Sequence, residues 1–201
     1  MSNVTTSPPG APPSNWNVPN ALTLLRILIV PLFGWLLLSH GGEDVGWRLA
    51  AFVCFALAMV TDRFDGEIAR RRGLVTTFGK VADPIADKAL IGTAFVGLSL
   101  LGELPWWVTV VVLGRELLIT LLRFAVIRYG VIAASRGGKL KTVLQTVALC
   151  AYVLPVADVT ALHLVAVGVM AAAVVVTVWT GGEYVVQSAR MWREGRRGVR
   201  G

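Results

Sequence analysis

Charge is scarce in this chain, and so are the residue types that build disulfide or zinc frameworks. Of 201 residues, 15% are charged, two are cysteine and two are histidine. A soluble domain carries about 25% charged residues, so a surface that meets water on every side is excluded. Acids are scarcer than bases, 12 against 19, which leaves a net charge of +7 and a pI of about 10.1. The cations punctuate long apolar runs instead of covering a hydrophilic face. That arrangement speaks against nucleic acid as a partner and for anionic membrane lipids or a phosphorylated substrate. Cys54 and Cys150 sit inside apolar runs without metal-ligand spacing and read as packing residues. Met1 to Pro19 holds no Lys or Arg, so it lacks the basic start of a secretory leader. Its Pro, Ser, Thr and Asn content predicts a disordered cytoplasmic tail over residues 1–19. No internal repeat is visible.

What the chain has is apolar length: 55% hydrophobic residues and a mean hydropathy of +0.68. A span needs about 20 mostly apolar residues, and six candidates follow one another: Asn20 to Ser39, Trp47 to Met59 continuing as a polar helix to Arg70, Gly79 to Leu101, Trp106 to Tyr129, Leu140 to Leu154, and Ala161 to Tyr184 with an extension to Trp192. The expected architecture is therefore an all-α integral membrane protein. One six-helix domain occupies 20–190, and a basic cytoplasmic tail occupies 191–201. With the N-terminus inside, the cytoplasmic segments hold Arg70, Arg71, Arg72, Arg128, Arg136, Lys139, Lys141 and the arginines from Arg190 to Arg200. The opposite side holds Arg48 with Glu43, Asp44, Glu103 and Asp158. The positive-inside rule then puts both termini in the cytoplasm.

Against this background the acids stand out. Ionisable groups within spans cost roughly 2.5–3.5 kcal/mol each on insertion scales and are functional candidates by default. Asp62, Asp65, Asp83 and Asp87 gather where the second and third spans approach the cytoplasmic face. At about 100° per residue, Asp62, Asp65, Gly66 and Ala69 share one side of the second helix, and Asp83 and Asp87 stack on one face of the third. A short connection makes these helices antiparallel neighbours, so the two pairs converge on one cavity at the cytoplasmic side. Four bare carboxylates at close quarters repel one another. A hard divalent cation removes that repulsion, and Mg²⁺ typically combines a few carboxylates with water and substrate phosphates. An ion-paired helix cap built on Arg63, Arg70 and Lys88 is the structural alternative, and a cation transporter is the functional one. Transporter sites sit near the midplane on broken helices in paired repeats; these aspartates lie near one face on continuous helices.

The same residues fill the pattern D-x2-D-G-x2-A-R-x8-G-x3-D-x3-D, with Asp62, Asp65, Gly66, Ala69, Arg70, Gly79, Asp83 and Asp87 at its fixed positions. In this the chain resembles the CDP-alcohol phosphatidyltransferases, and the likeness extends to the six-span layout. The resemblance implies displacement of CMP from a CDP-linked lipid by an alcohol, with two divalent cations, Mg²⁺ or Mn²⁺. It implies Asp62, Asp65 and Asp83 as metal ligands, and Asp87 as the base that also touches metal. Asp62, Gly66, Ala69 and Arg70 would lie in the CDP-lipid pocket. A homodimer through the third and fourth spans is implied by the family alone.

Three further segments resemble the branch of that family that makes phosphatidylglycerophosphate: Asn17 to Arg26, Gly114-Arg115-Glu116 followed by Arg123, and Gly138 to Thr142. They imply CDP-diacylglycerol as donor and sn-glycerol 3-phosphate as acceptor. Arg123, Lys139, Lys141 and Arg115 are then candidates for the acceptor phosphate, with Ser135, Arg136 and Arg26 as weaker ones. An intramembrane ion pair for Arg115 and Glu116, and headgroup contacts for Lys139 and Lys141, are the structural alternatives. Inositol phosphate or phosphatidylglycerol as acceptor stays open.

Overall fold

A computed structural model describes residues 18–72, 76–126, 136–155 and 160–198; side chains at 18–19, 63–72, 77–78, 80–81, 126, 136–137, 139, 160 and 194–198 lie outside it. Six helices follow in order: α1 Val18–Leu38, α2 Val45–Arg72, α3 Thr77–Leu100, α4 Trp106–Val126, α5 Arg136–Val153 and α6 Thr160–Gly198. Several expected boundaries move. α5 begins at Arg136, four residues before the expected Leu140, so Lys139 joins Lys141 on its first turns. α6 continues past Trp192 to Gly198, which puts most of the expected basic tail on a helix, since arginine is a good helix former. α1 begins at Val18, so the last two residues of the expected 1–19 tail are helical; residues 1–17 and Ser135 fall outside the described residues.

The bundle is apolar on its outside as well as in its core. Large apolar side chains face outward, among them Leu28, Val110, Phe124, Val175 and Trp179, while Thr23, Arg26, Arg48, Lys141, Gln145 and Thr180 are buried. Exposed apolar area of this extent needs a nonaqueous solvent. Three helical stretches, Asn20–Gly42, Val45–Asp62 and Ala161–Arg193, are long and apolar enough to cross a membrane, and Leu140–Val153 is a shorter apolar helix. α3 and α4 are 24 and 21 residues long, but their sequences carry the charges discussed below. The chain is a membrane-embedded helical protein.

α1 packs on both α2 and α3, and α6 packs on both α4 and α5. Lighter contacts of α3 with α4 and α5, and of α2 with α5, join the two groups. Small residues allow the closest crossing. A Cβ on Gly97 of α3 would stand 2.6 Å from Leu37 Cδ2, and one on Gly34 of α1 would stand 3.0 Å from Thr93 Cγ2. Such small-residue contacts are the usual route to tight packing between helices in lipid, where apolar burial alone gives no preference. Around them Phe33 and Phe55 stack with ring centroids 5.2 Å apart, and Leu37, Leu90, Phe95, Leu98 and Leu149 complete the core.

One end of the bundle is closed by a single arginine. Arg48 of α2 binds Glu103 in the α3–α4 turn through both terminal nitrogens, at 2.5 and 2.8 Å. It also donates to the last carbonyls of α5, Tyr152 O at 2.6 Å and Val153 O at 3.3 Å. Those carbonyls have no intrahelical partner, so the guanidinium caps α5 while tying it to α2 and α3. The α3–α4 turn that presents Glu103 needs Gly102, whose φ of +75° suits glycine. Glu103→Gln keeps the shape and removes the charge that offsets the buried guanidinium. It should lower stability by roughly 1–3 kcal/mol, read as a lower melting temperature in detergent.

Candidate active site

The other end of the bundle is organised by a polar line on α1. Asn20, Thr23 and Arg26 recur every three residues, so they lie on one face of the helix, and all three are buried. Each meets a different part of the carboxylate-bearing helices. Asn20 Oδ1 accepts from Thr76 Oγ1 at 2.9 Å. Thr76 is the N-cap of α3 and accepts from Gly79 N at 3.0 Å, satisfying a backbone N–H that the helix start leaves without a partner. A Cβ on Gly79 would stand 2.9 Å from Asn20 Oδ1, which is the physical reason for glycine there. Thr23 donates to Asp83 Oδ1. Arg26 Nη1 lies 2.5 Å from Asp62 Oδ1.

Because Thr23 and Arg26 are one turn apart, Asp62 of α2 and Asp83 of α3 are brought to neighbouring positions along α1. Asp87 lies one turn beyond Asp83, within Coulombic range of Asp62 and Arg26 on one side and of Glu116 and Lys141 on the other. It lines a cavity of about 800 Å³ between α3, α4 and α5. Lys88, Glu116, Thr120, Lys141 and Gln145 supply the polar part of that wall; Ile91, Leu113, Leu117 and Phe124 supply much of the apolar part. Lys88 Nζ donates to Thr120 Oγ1 at 2.5 Å. A cavity with an apolar wall and a few convergent charged groups is the usual form of a small-molecule site.

On the far wall, Lys141 Nζ and Arg115 Nη1 both donate to Glu116, the latter at 3.1 Å. Arg115 Nη2 reaches Thr180 Oγ1 of α6 at 3.0 Å. Gln145 Nε2 donates to Thr177 Oγ1, also on α6, at 3.2 Å.

Asp62, Asp83, Asp87 and Lys141 are thus brought to one region. Arg115 stands behind the cavity wall, engaged by Glu116 and Thr180, and Arg123 is exposed, with Nε 3.4 Å from the Tyr184 hydroxyl. The side chains of Asp65, Gly66's neighbours through Ala69 and Arg70, and Lys139 lie outside the described residues, as does that of Arg136. Asn20, Thr23 and Thr180 carry no site role from the sequence, whereas the Arg115–Glu116 ion pair named there as the structural alternative is present. A signal for the first two was present: polar residues at three-residue spacing inside an apolar run.

Carboxylate oxygens are the donor type Mg²⁺ or Mn²⁺ prefers, and Asp62 and Asp83 already face positive or hydrogen-donating groups on α1. In donor chemistry the residues fit a hard divalent cation. Among the described residues no group of three or more His, Cys, Asp or Glu side chains is close enough to hold a metal; Asp65 is not one of them.

Comparison with known proteins matches this architecture to one family. Residues 16–179 match the CDP-alcohol phosphatidyltransferase family model. A Mycobacterium tuberculosis protein named probable phosphatidylglycerophosphate synthase is 55% identical over 174 residues, covering 87% of this chain and 82% of the relative. A Bacillus subtilis CDP-diacylglycerol–glycerol-3-phosphate 3-phosphatidyltransferase is 38% identical over 149 residues, covering 69% of this chain and 77% of the relative. A Streptomyces coelicolor cardiolipin synthase (CMP-forming) is 37% identical over 116 residues, covering 56% and 53%. With the carboxylates of α2 and α3 meeting on α1 beside a cavity, and with matches over most of its length, the chain belongs to the CDP-alcohol phosphatidyltransferase family.

Proposed function

We propose that this membrane enzyme transfers the phosphatidyl group of CDP-diacylglycerol to sn-glycerol 3-phosphate, giving phosphatidylglycerophosphate and CMP. The observation that carries the reading is one cavity wall: Asp87 and Lys141 both line it, so a base and a phosphate-binding cation face the same space. The names of the relatives at 55% and 38% identity support the donor and the acceptor.

In this reading Asp87 accepts the proton of the acceptor hydroxyl as its oxygen attacks the phosphorus that bears diacylglycerol. A new P–O bond forms, the bond to the CMP phosphate oxygen breaks, and CMP leaves with the electron pair. Phosphoryl-type transfer depends on in-line positioning and charge neutralisation. Asp62, Asp65, Asp83 and Asp87 would hold two divalent cations, Mg²⁺ or Mn²⁺, which when bound neutralise charge on the pyrophosphate. Gly66, Ala69 and Arg70 belong with Asp62 to the CDP-lipid pocket, and Lys141, with Lys139 and Arg123, to the acceptor phosphate. Six spans with both termini in the cytoplasm would put the site at the cytoplasmic face of the plasma membrane. Lipid tails then stay in the bilayer while the soluble acceptor enters from water. Pairing of two copies through α3 and α4, and contact of the basic α6 end with anionic lipids, belong to the same proposal.

An acceptor panel tests the assignment directly. CMP release from CDP-diacylglycerol should require both a divalent cation and glycerol 3-phosphate; release with inositol phosphate or phosphatidylglycerol in place of glycerol 3-phosphate would overturn it. The cardiolipin synthase match makes phosphatidylglycerol the arm to watch. Asp87→Asn should reduce turnover by about 10²–10⁴-fold while Mn²⁺ and CDP-lipid binding persist, and near-normal turnover would remove Asp87 from the base role. Asp65→Ala should weaken Mn²⁺ binding and CDP-lipid binding together, measured by calorimetry; loss of neither contradicts its place among the ligands.

A further inference from the structure

Lys141 does not simply project a free charge into the cavity. It is buried, and its ammonium is held by Glu116. Glu116 is held in turn by Arg115 Nη1 at 3.1 Å, and Arg115 Nη2 is anchored to Thr180 at 3.0 Å. Thr180 is itself fixed, donating to Val176 O at 2.7 Å. Gly181 leaves room for the arm, since a Cβ there would stand 3.1 Å from Arg115 Cγ. Three helices are thus joined by one chain of charged and polar groups. A buried ion network is a poor stabiliser compared with well-packed apolar residues, so its presence beside the cavity calls for another role.

Two placements indicate that role. Glu116 and Lys141 line the cavity with Asp87, whereas Arg115 is not among its lining residues. Glu116 is shared by Arg115 and Lys141, so it keeps a cationic partner when Lys141 turns to another anion. The network therefore holds capacity for a second arrangement in which Glu116 is bound by Arg115 alone.

We propose that Glu116 is a positioning residue for a phosphate-bearing acceptor. Its carboxylate holds the Lys141 ammonium in the wall of the cavity that Asp87 also lines. An arriving phosphate replaces that carboxylate as the partner of Lys141, while Arg115, braced on Thr180, keeps Glu116 through Nη1. No bond is made or broken covalently; one anion is exchanged for another at a cation that is never left bare. The inference rests on the proposed function only in taking the acceptor to carry a phosphate.

The test uses the full chain in nanodiscs. Glu116→Gln should raise the KM for glycerol 3-phosphate about tenfold or more, with kcat and the KM for CDP-diacylglycerol within about twofold. Glu116→Asp, which keeps the charge, should recover most of the loss. Thr180→Val, a near-isosteric change that removes only the brace, should raise the same KM by roughly threefold and serves if Glu116→Gln does not fold. An unchanged acceptor KM in these variants, or equal losses for donor and acceptor, overturns the proposal. Inorganic phosphate supplies a readout independent of turnover. It should raise the melting temperature of the wild type and of Glu116→Asp, but not of Glu116→Gln or Lys141→Met. No stabilisation of the wild type, or undiminished stabilisation of Glu116→Gln, also overturns it. If wild-type protein releases no CMP with glycerol 3-phosphate yet shows this phosphate pattern, the acceptor assignment fails and the role of Glu116 stands.

Discussion

A carboxylate inside an apolar helical shell is tolerable only where a cation or a hydrogen-bond donor meets it, and α1 supplies such partners to two helices at once. Thr23 serves Asp83 and Arg26 serves Asp62, one helical turn apart. The same face, through Asn20, reaches the cap of α3. The position of α3 relative to α2 near the site therefore depends on α1 as well as on their short connection. Desolvated charge with its partner removed costs several kcal/mol, so the pairing constrains helix placement more sharply than apolar packing, which lipid can replace.

The two ends of the bundle use arginine differently. Arg48 is fully spent: carboxylate on one side, two helix-terminal carbonyls on the other. The arrangement ties α2, α5 and the α3–α4 turn together. Toward the other end, Arg115 and Lys141 share a single carboxylate. Saturated bonding at one end and shared bonding at the other separate an end that braces from an end that can exchange partners. Between them the small-residue crossings at Gly34 and Gly97 keep α1 and α3 close enough for the polar line to reach.

Much of this was legible from local pattern. Apolar runs of span length and polar turns predict the helices to within a few residues, because helix formation in lipid follows from satisfying the backbone within each segment. The shift of α5 to begin at Arg136 and the run of α6 to Gly198 were not legible. Basic residues at a membrane edge suit a loop and a helix equally well, and hydropathy does not distinguish them. Arg115 shows the other kind of limit. Its type and depth mark it as either a ligand for substrate or an ion-pair partner, and only the position of Thr180, distant in sequence, shows its guanidinium turned toward α6.

The sequence by itself determined which residues carry charged or polar groups into the apolar region and, through the helical period, which of them share a face: Asp83 with Asp87, and Asn20 with Thr23 and Arg26. That much is local, since about 3.6 residues make a turn whatever surrounds the helix. The tertiary structure decided which faces meet. Thr23 and Asp83 are 60 residues apart, Glu116 and Lys141 are 25 apart, and Arg115 and Thr180 are 65 apart. Contacts over such separations arise only when helices pack, because each buried charge must find a partner from whichever helix the packing brings beside it.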